Sequence, residues 1–211
     1  MEPSGRKLTQ GFAVIISAPS GGGKSTVCHK LMQRDHALRY SVSCTTRSPR
    51  PAEKNGRDYH FLSVDEFKRR MHRNEFLEFA TVHGQYYGTP KHLFDQTIAD
   101  GSVILLAIDV QGASNIRAKR PGTVTIFLIP PSWASLRNRL RGRRQDGKEE
   151  VERRLANARG EITQAKNYEY LVVNDSLDDT VDQIEAIITA ERLKLARQDL
   201  ASFGIPELTL K

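Results

Sequence analysis

The sequence predicts an α/β fold in which helices cover both faces of a parallel sheet. Three observations carry this reading. Short apolar runs at Phe12–Ser17, Val103–Ile108 and Val124–Ile129 have the unbroken hydrophobicity of strands buried on both sides. Stretches with apolar residues every three or four positions alternate with those runs. A Gly-rich segment follows the first run and passes directly into a helical pattern. Strands and helices alternating in this way close into a parallel sheet through right-handed crossovers.

Taken in order, Phe12–Ser17 is the first strand, and the helix after the Gly-rich loop carries Val27, Leu31 and Met32 on one face. Tyr40–Cys44 reads as a second short strand, and Thr45–Asp58, with Pro49, Pro51 and Gly56, as a long loop. Tyr59–Leu62 fits a strand, Val64–Met71 a helix capped by Ser63 or Asp65, and Phe76–Val82 another strand. The segment GQYYGTP is rich in turn formers. Lys91–Ala99 reads as a helix and Val103–Ile108 as a strand. Pro130 and Pro131 end the strand at Val124–Ile129, and Ser132 caps a helix running to about Leu140. From Glu149, Val151, Leu155, Ala158, Ile162 and Ala165 mark an amphipathic helix. Tyr170–Val173 is a last strand. Leu177, Val181, Ile184, Ile188 and Leu195 form a stripe on a long C-terminal helix that packs on its own sheet, since a dimer seam needs more heptads than are present.

The chain has 211 residues, 38% of them hydrophobic and 27% charged, which fits one overall domain unit with a packed core. No apolar run approaches the roughly 20 residues that span a bilayer, and the first run is too short for a secretory leader. Cys28 and Cys44 cannot build a disulfide framework and read as reduced thiols. A cytoplasmic location is expected, with no membrane partner. With 32 Lys and Arg against 25 Asp and Glu the net charge is +7, which suits anionic partners.

Ala18-Pro19-Ser20-Gly21-Gly22-Gly23-Lys24-Ser25-Thr26 lies between strand and helix and completes a GxxxxGK[ST] pattern, except that its first glycine is Ala18. Glycines let backbone amides turn toward phosphate oxygens, and the helix N-terminus adds positive potential. Lys24 can reach terminal phosphates and Ser25 can hold Mg²⁺. The expected ligand is Mg·ATP. Arg47 and Arg50 share one loop, and Tyr59 and Tyr87 can join them, so that two guanidinium forks and two phenols form a cradle for a second phosphate. The six histidines show no zinc-like spacing, and no protein metal cage is expected. Five arginines crowd the segment Arg137–Arg144 without interleaved aromatics, which disfavours nucleic acid as the partner.

The motifs SAPSGGGKST, SVSCTTRSPRP, GRDYHFLSVDEF, NEFLEFATVHGQYYGTP, IDVQGA, FLIPPS and RLRGR occur in this order from about Phe12 to Asn174, and together they resemble guanylate kinases of bacterial type. The resemblance implies transfer of the γ-phosphoryl group of ATP to GMP, giving ADP and GDP. It implies a P-loop nucleoside-monophosphate kinase fold with a parallel five-stranded core sheet, a mixed α/β GMP-binding insert and a helical lid. The core would comprise residues 1–40, 90–134 and 166–211, the insert 41–89 and the lid 135–165. Arg47, Arg50, Tyr59 and Tyr87 would hold the GMP phosphate, and Ser43, Glu78, Thr89 and Asp109 would surround the guanine. Arg139, Arg143 and Arg154 would close over ATP and act in catalysis with Lys24 and Arg47, while Asn174 would meet the adenine.

Glu78 makes chemical sense as the base reader, because one carboxylate can accept from both the ring N–H and the exocyclic amine of guanine. Ala107 departs from the family's pattern, which commonly has an acidic residue two places before Asp109, and a weakened Mg²⁺ site is expected. Two other readings compete: a guanylate-kinase-like interaction module without catalysis, and a sugar-phosphate kinase on the same fold. The intact Lys24, Ser25 and lid arginines argue against the first, and Ser43 with Glu78 against the second. The sequence does not decide between a monomer and a homo-oligomer.

Overall fold

A computed structural model describes residues 10–82, 84–142 and 148–205. Its elements in chain order are β1 (Phe12–Ser17), α1 (Lys24–Arg34), β2 (Leu38–Tyr40), β3 (Cys44–Thr45), β4 (His60–Phe61), α2 (Val64–His72), β5 (Phe76–Val82), β6 (Gln85–Pro90) and α3 (Lys91–Ala99). They continue with β7 (Val103–Ala107), α4 (Val110–Lys119), β8 (Val124–Ile129), α5 (Trp133–Arg141), α6 (Lys148–Thr163), β9 (Tyr170–Val173) and α7 (Leu177–Leu193). The main sheet has five parallel strands in the order β2-β7-β1-β8-β9. This is the α/β architecture with a parallel five-stranded core that the sequence predicts.

All six residues of β1 are buried, so the strand must be apolar on both faces. Val14 and Ile16 pack with Val27 and Leu31 of α1 and with Val181, Ile184 and Ile188 of α7. Ala13 and Ile15 point the other way, toward Phe94 of α3 and Ala113 and Ile116 of α4. The period-2 alternation of a strand therefore separates two cores rather than a core from solvent.

A second sheet, ordered β4-β3-β6-β5, projects from the first. It has its own small core, where Phe67 of α2 stacks on Phe76 at 4.5 Å and on Tyr86 at 5.4 Å between ring centroids, above Cys44. The helix pair α5 and α6 has a third core made of Leu136, Leu140, Val151, Leu155 and Ala158.

The differences from the sequence reading have local causes. Tyr40–Cys44 is not one strand: β2 belongs to the main sheet and β3 to the second, and residues 41–43 cross between them. The turn-rich GQYYGTP forms β6, because pairing with both β3 and β5 supplies the hydrogen bonds that its glycines and proline would not by themselves specify. Helix α4 lacks a regular apolar stripe and carries Gly112 in its first turn, yet the parallel pairing of its flanking strands with β1 demands a crossover. Ser63 and Ser132 cap α2 and α5 by accepting from the amides of Glu66 and Ser135. Helix α7 ends at Leu193, leaving Leu195 beyond it and 71% exposed.

Where α7 ends, Glu191 is buried and accepts from Tyr170 Oη at 2.7 Å, Arg197 Nη2 at 3.1 Å and Lys194 Nζ at 2.6 Å. Burial alone would raise its carboxyl, but these three donors hold it below the usual carboxylate range. Glu191→Ala takes the acceptor from the Tyr170 hydroxyl and the counter-charge from Arg197, whose Nη2 keeps Gly122 O, and is expected to lower stability by about 3 kcal/mol in urea unfolding.

Candidate active site

A cleft of about 380 Å³ opens where β1 and β7 hand over to the segments leading into α1 and α4. Its floor is the Gly-rich loop. Gly23, which caps α1, has φ 91°, a left-handed conformation that glycine adopts without strain. A Cβ there would also fall 2.4 Å from Asn174 Nδ2. That side chain fits closely because its amide donates to Gly22 O at 2.8 Å, while its oxygen accepts from Thr180 Oγ1 at 3.2 Å. Asn174 thus clamps the loop to the end of β9. Lys24 Nζ donates to Ala18 O at 2.9 Å, and Ser25 and Thr26 are exposed to the cleft.

The amide of Ser20 points at Glu161 Oε2, 2.9 Å away on α6. A carboxylate oxygen thus takes the position at this loop amide that the oxygen of an anionic ligand can take.

The second sheet forms the opposite wall. Tyr87 of β6 pairs with Thr45 of β3, and Tyr59 stands beside it with ring centroids 6.0 Å apart. The guanidinium of Arg47 lies 5.3 Å from the centre of the Tyr59 ring, and Arg50 follows three residues later in the same loop. These four side chains line the cleft together.

Deeper in, the antiparallel register of β5 and β6 sets Glu78 opposite Thr89. Thr89 Oγ1 donates to Glu78 Oε1 at 2.7 Å, whereas Oε2 is buried with no partner. Burial pushes the Glu78 carboxyl up to about 7, the Thr89 hydroxyl pulling it down and the charge of Asp109 adding to the rise. A Cβ on Gly112 would sit 3.0 Å from Oε2, so this glycine keeps the space beside the unpartnered oxygen open. Asp109 caps α4, accepting from the amides of Gln111 at 2.8 Å and Gly112 at 3.0 Å, and it also lines the cleft. The site combines a Gly-rich loop, a cluster of two arginines and two tyrosines, and a buried carboxylate with one oxygen left unpartnered.

Residues 10–191 match the Guanylate kinase family. The chain belongs to that family. It is 46% identical over 197 residues to the guanylate kinase of Nitrosospira multiformis, covering 93% of this chain and 94% of the relative. Identity to the Escherichia coli guanylate kinase is 45% over 193 residues, covering 90% and 93% of the two chains. The crystal structure of guanylate kinase from Anaplasma phagocytophilum superposes with a TM-score of 0.77 at 33% identity, covering 96% of this chain and 95% of that one.

Of the residues that the sequence singles out, this guanylate kinase family member gathers 19–26, Ser43, Arg47, Arg50, Tyr59, Glu78, Tyr87, Asp109 and Arg154 in one cleft. Ala18, Thr89 and Asn174 stand outside its lining, bonded to Lys24, Glu78 and Gly22 respectively. Arg139 is turned to the core, donating to Asn174 O at 2.7 Å. Arg143 lies outside the described residues. Sequence reasoning missed Glu161 and Gly112: Glu161 is one charge among many on α6, and the space kept by Gly112 is a tertiary fact. Cys44 is buried in the small core, where burial pushes its thiol up to about 11, so it is no nucleophile.

The Glu78 carboxyl favours the fold while protonated, so its contribution is complete below the ordinary carboxylate range and is lost as pH rises through about 7. Glu78→Gln is therefore expected to be more stable than the parent at pH 8, by on the order of 3 kcal/mol, and to show no such gain at pH 4. Urea unfolding of the two ligand-free proteins across that range measures it.

Proposed function

We propose that this chain is an ATP:GMP phosphotransferase that moves the γ-phosphoryl group of ATP to GMP, giving ADP and GDP. Membership of the guanylate kinase family supports the reaction. The single observation that carries the choice of acceptor is the buried, half-satisfied carboxylate of Glu78 beside the phosphate cradle. Its free oxygen, and the shared one, suit the two adjacent donors of guanine. Adenine offers a bare ring nitrogen there and would leave Glu78 unpaired, which such sites penalise by about 10⁴-fold or more. Ser43, buried at the cleft wall, adds a hydroxyl for the base.

In this reading Arg47, Arg50, Tyr59 and Tyr87 hold the acceptor phosphate, and the loop amides with Lys24 hold the phosphates of ATP. The acceptor phosphate is a dianion near neutral pH and needs no general base, so alignment and charge stabilisation supply the rate. Arg154, at the cleft from α6, brings positive charge to the transferring group. Arg139 and Arg143 belong to the same lid in this proposal. The separate small cores of the second sheet and of the α5–α6 pair support treating 41–89 and 135–165 as bodies that close on the remaining core.

The donor set suits Mg²⁺ brought in with the nucleotide. Ser25 offers one hydroxyl, Asp109 is engaged by two amides, and Ala107 offers nothing, so phosphate oxygens and waters would complete the shell. Bound there, the ion would neutralise phosphate charge. Among the described residues no helix is long and apolar enough to cross a membrane. Nucleotide substrates and two unpaired thiols suit a cytoplasmic setting.

A coupled assay for ADP with Mg·ATP and GMP, AMP, dTMP or a sugar phosphate tests the reading. ADP is expected with GMP alone, and is expected to vanish in Lys24→Ala. Glu78→Ala should lose most of its kcat/KM for GMP, by about 100-fold or more, and with it the preference over AMP. Tight GMP binding without turnover would instead identify an interaction module.

A further inference from the structure

The cradle arginines are not held by the cleft itself. Behind them, outside the cleft lining, stands Glu53. Its two carboxylate oxygens accept from Arg47 Nη1 at 2.9 Å and Nη2 at 3.0 Å, a bidentate pair. The Arg50 amide also donates to Glu53 Oε2 at 2.8 Å, and Arg50 Nη1 lies 3.6 Å from Oε1. The Glu53 amide in turn donates to Arg50 O at 2.9 Å, closing the loop into a turn. Glu53 is thus the common partner of both arginines.

This arrangement has a chemical purpose. The segment between β3 and β4 has no strand or helix of its own to fix the arginines. A guanidinium on a free loop keeps about 2 kcal/mol of rotamer entropy, which phosphate binding would have to remove. The fork of Glu53 occupies one edge of Arg47, and Ser48 O takes a further proton of Nη1 at 2.7 Å. The rings of Tyr59 and Phe61 lie 5.3 and 5.7 Å from its Cζ. The planar group is set before ligand arrives, with its remaining donors facing Tyr87 and the cleft. Burial of Glu53 would raise its carboxyl, but Arg47 and the Arg50 amide hold it below the usual range, so the brace stays ionised wherever a phosphate dianion exists.

We infer that Glu53 is a positioning residue for the acceptor phosphate: its carboxylate pre-sets Arg47 and Arg50, and does so without touching the substrate. The inference rests on the proposed assignment of this cradle to the GMP phosphate. It separates the site into a base reader that works without Glu53 and a phosphate grip that depends on it.

The test compares GMP and guanosine binding to the full chain by calorimetry, together with steady-state KM values, for the parent, Glu53→Gln, Glu53→Ala and Glu53→Asp. Loss of a charge-assisted brace should raise Kd and KM for GMP by about 10- to 100-fold in Glu53→Gln and Glu53→Ala. Guanosine affinity and KM for ATP should stay within about 2-fold, since Glu78 and the loop are untouched. Glu53→Asp, which keeps the charge on a shorter arm, should recover part of the loss. Equal loss of GMP and guanosine binding would overturn the inference, because Glu53 would then be holding the whole second sheet. Unchanged GMP affinity in Glu53→Ala would overturn it as well. If the parent itself does not prefer GMP to guanosine, the proposed acceptor site fails, independently of Glu53.

Discussion

The burial of β1 on both faces is the constraint on which the rest of the molecule depends. Where β1 ends, the buried Ser17 Oγ donates to Ile108 O at 2.9 Å and so satisfies the carbonyl of the neighbouring segment as both leave the sheet. The turn that follows must bring the chain onto α1 within a few residues, and Gly23 meets that demand with a left-handed backbone. The same turn exposes amides at the end of the sheet. Core packing and phosphate binding are therefore two results of one strand-to-helix junction.

Around that junction, internal carboxylates stand where ligand anions are expected or just behind them. Glu161 meets the Ser20 amide, and Glu53 meets the paired arginines. Glu78 is the opposite case, a carboxylate kept short of donors. The first two satisfy cationic or donor groups that would otherwise face water in many orientations. The third stores an unmet need that only a ligand with adjacent N–H groups can fill. In the proposed function, affinity for phosphate and discrimination of the base thus come from different electrostatic devices.

Much of this was legible in the sequence because it depends on local pattern. The runs Phe12–Ser17 and Val124–Ile129, the capping serines and the phosphate loop all announce themselves over a few residues. What stayed hidden depends on partners far along the chain. GQYYGTP becomes β6 only because β3 and β5 flank it, and α4 exists because parallel strands must be joined. Asn174 was singled out as an adenine contact, yet its side chain is committed to Gly22, a pairing across the fold that no spacing rule encodes. Glu53 was readable in principle, lying three residues from Arg50 in the same loop, but an acid among surface charges carries no signal until the loop is folded.

The second sheet leaves the main body after β2 and returns at α3, and both of these elements pack on β7. The excursion carries its own aromatic core, yet Leu77 of β5 is buried with Ala13 and Ile15 of β1, so the second sheet is seated on the main body. In the proposed reading, one continuous stretch of gene thus writes the wall that meets the acceptor, while the loop that meets the donor is written ahead of it.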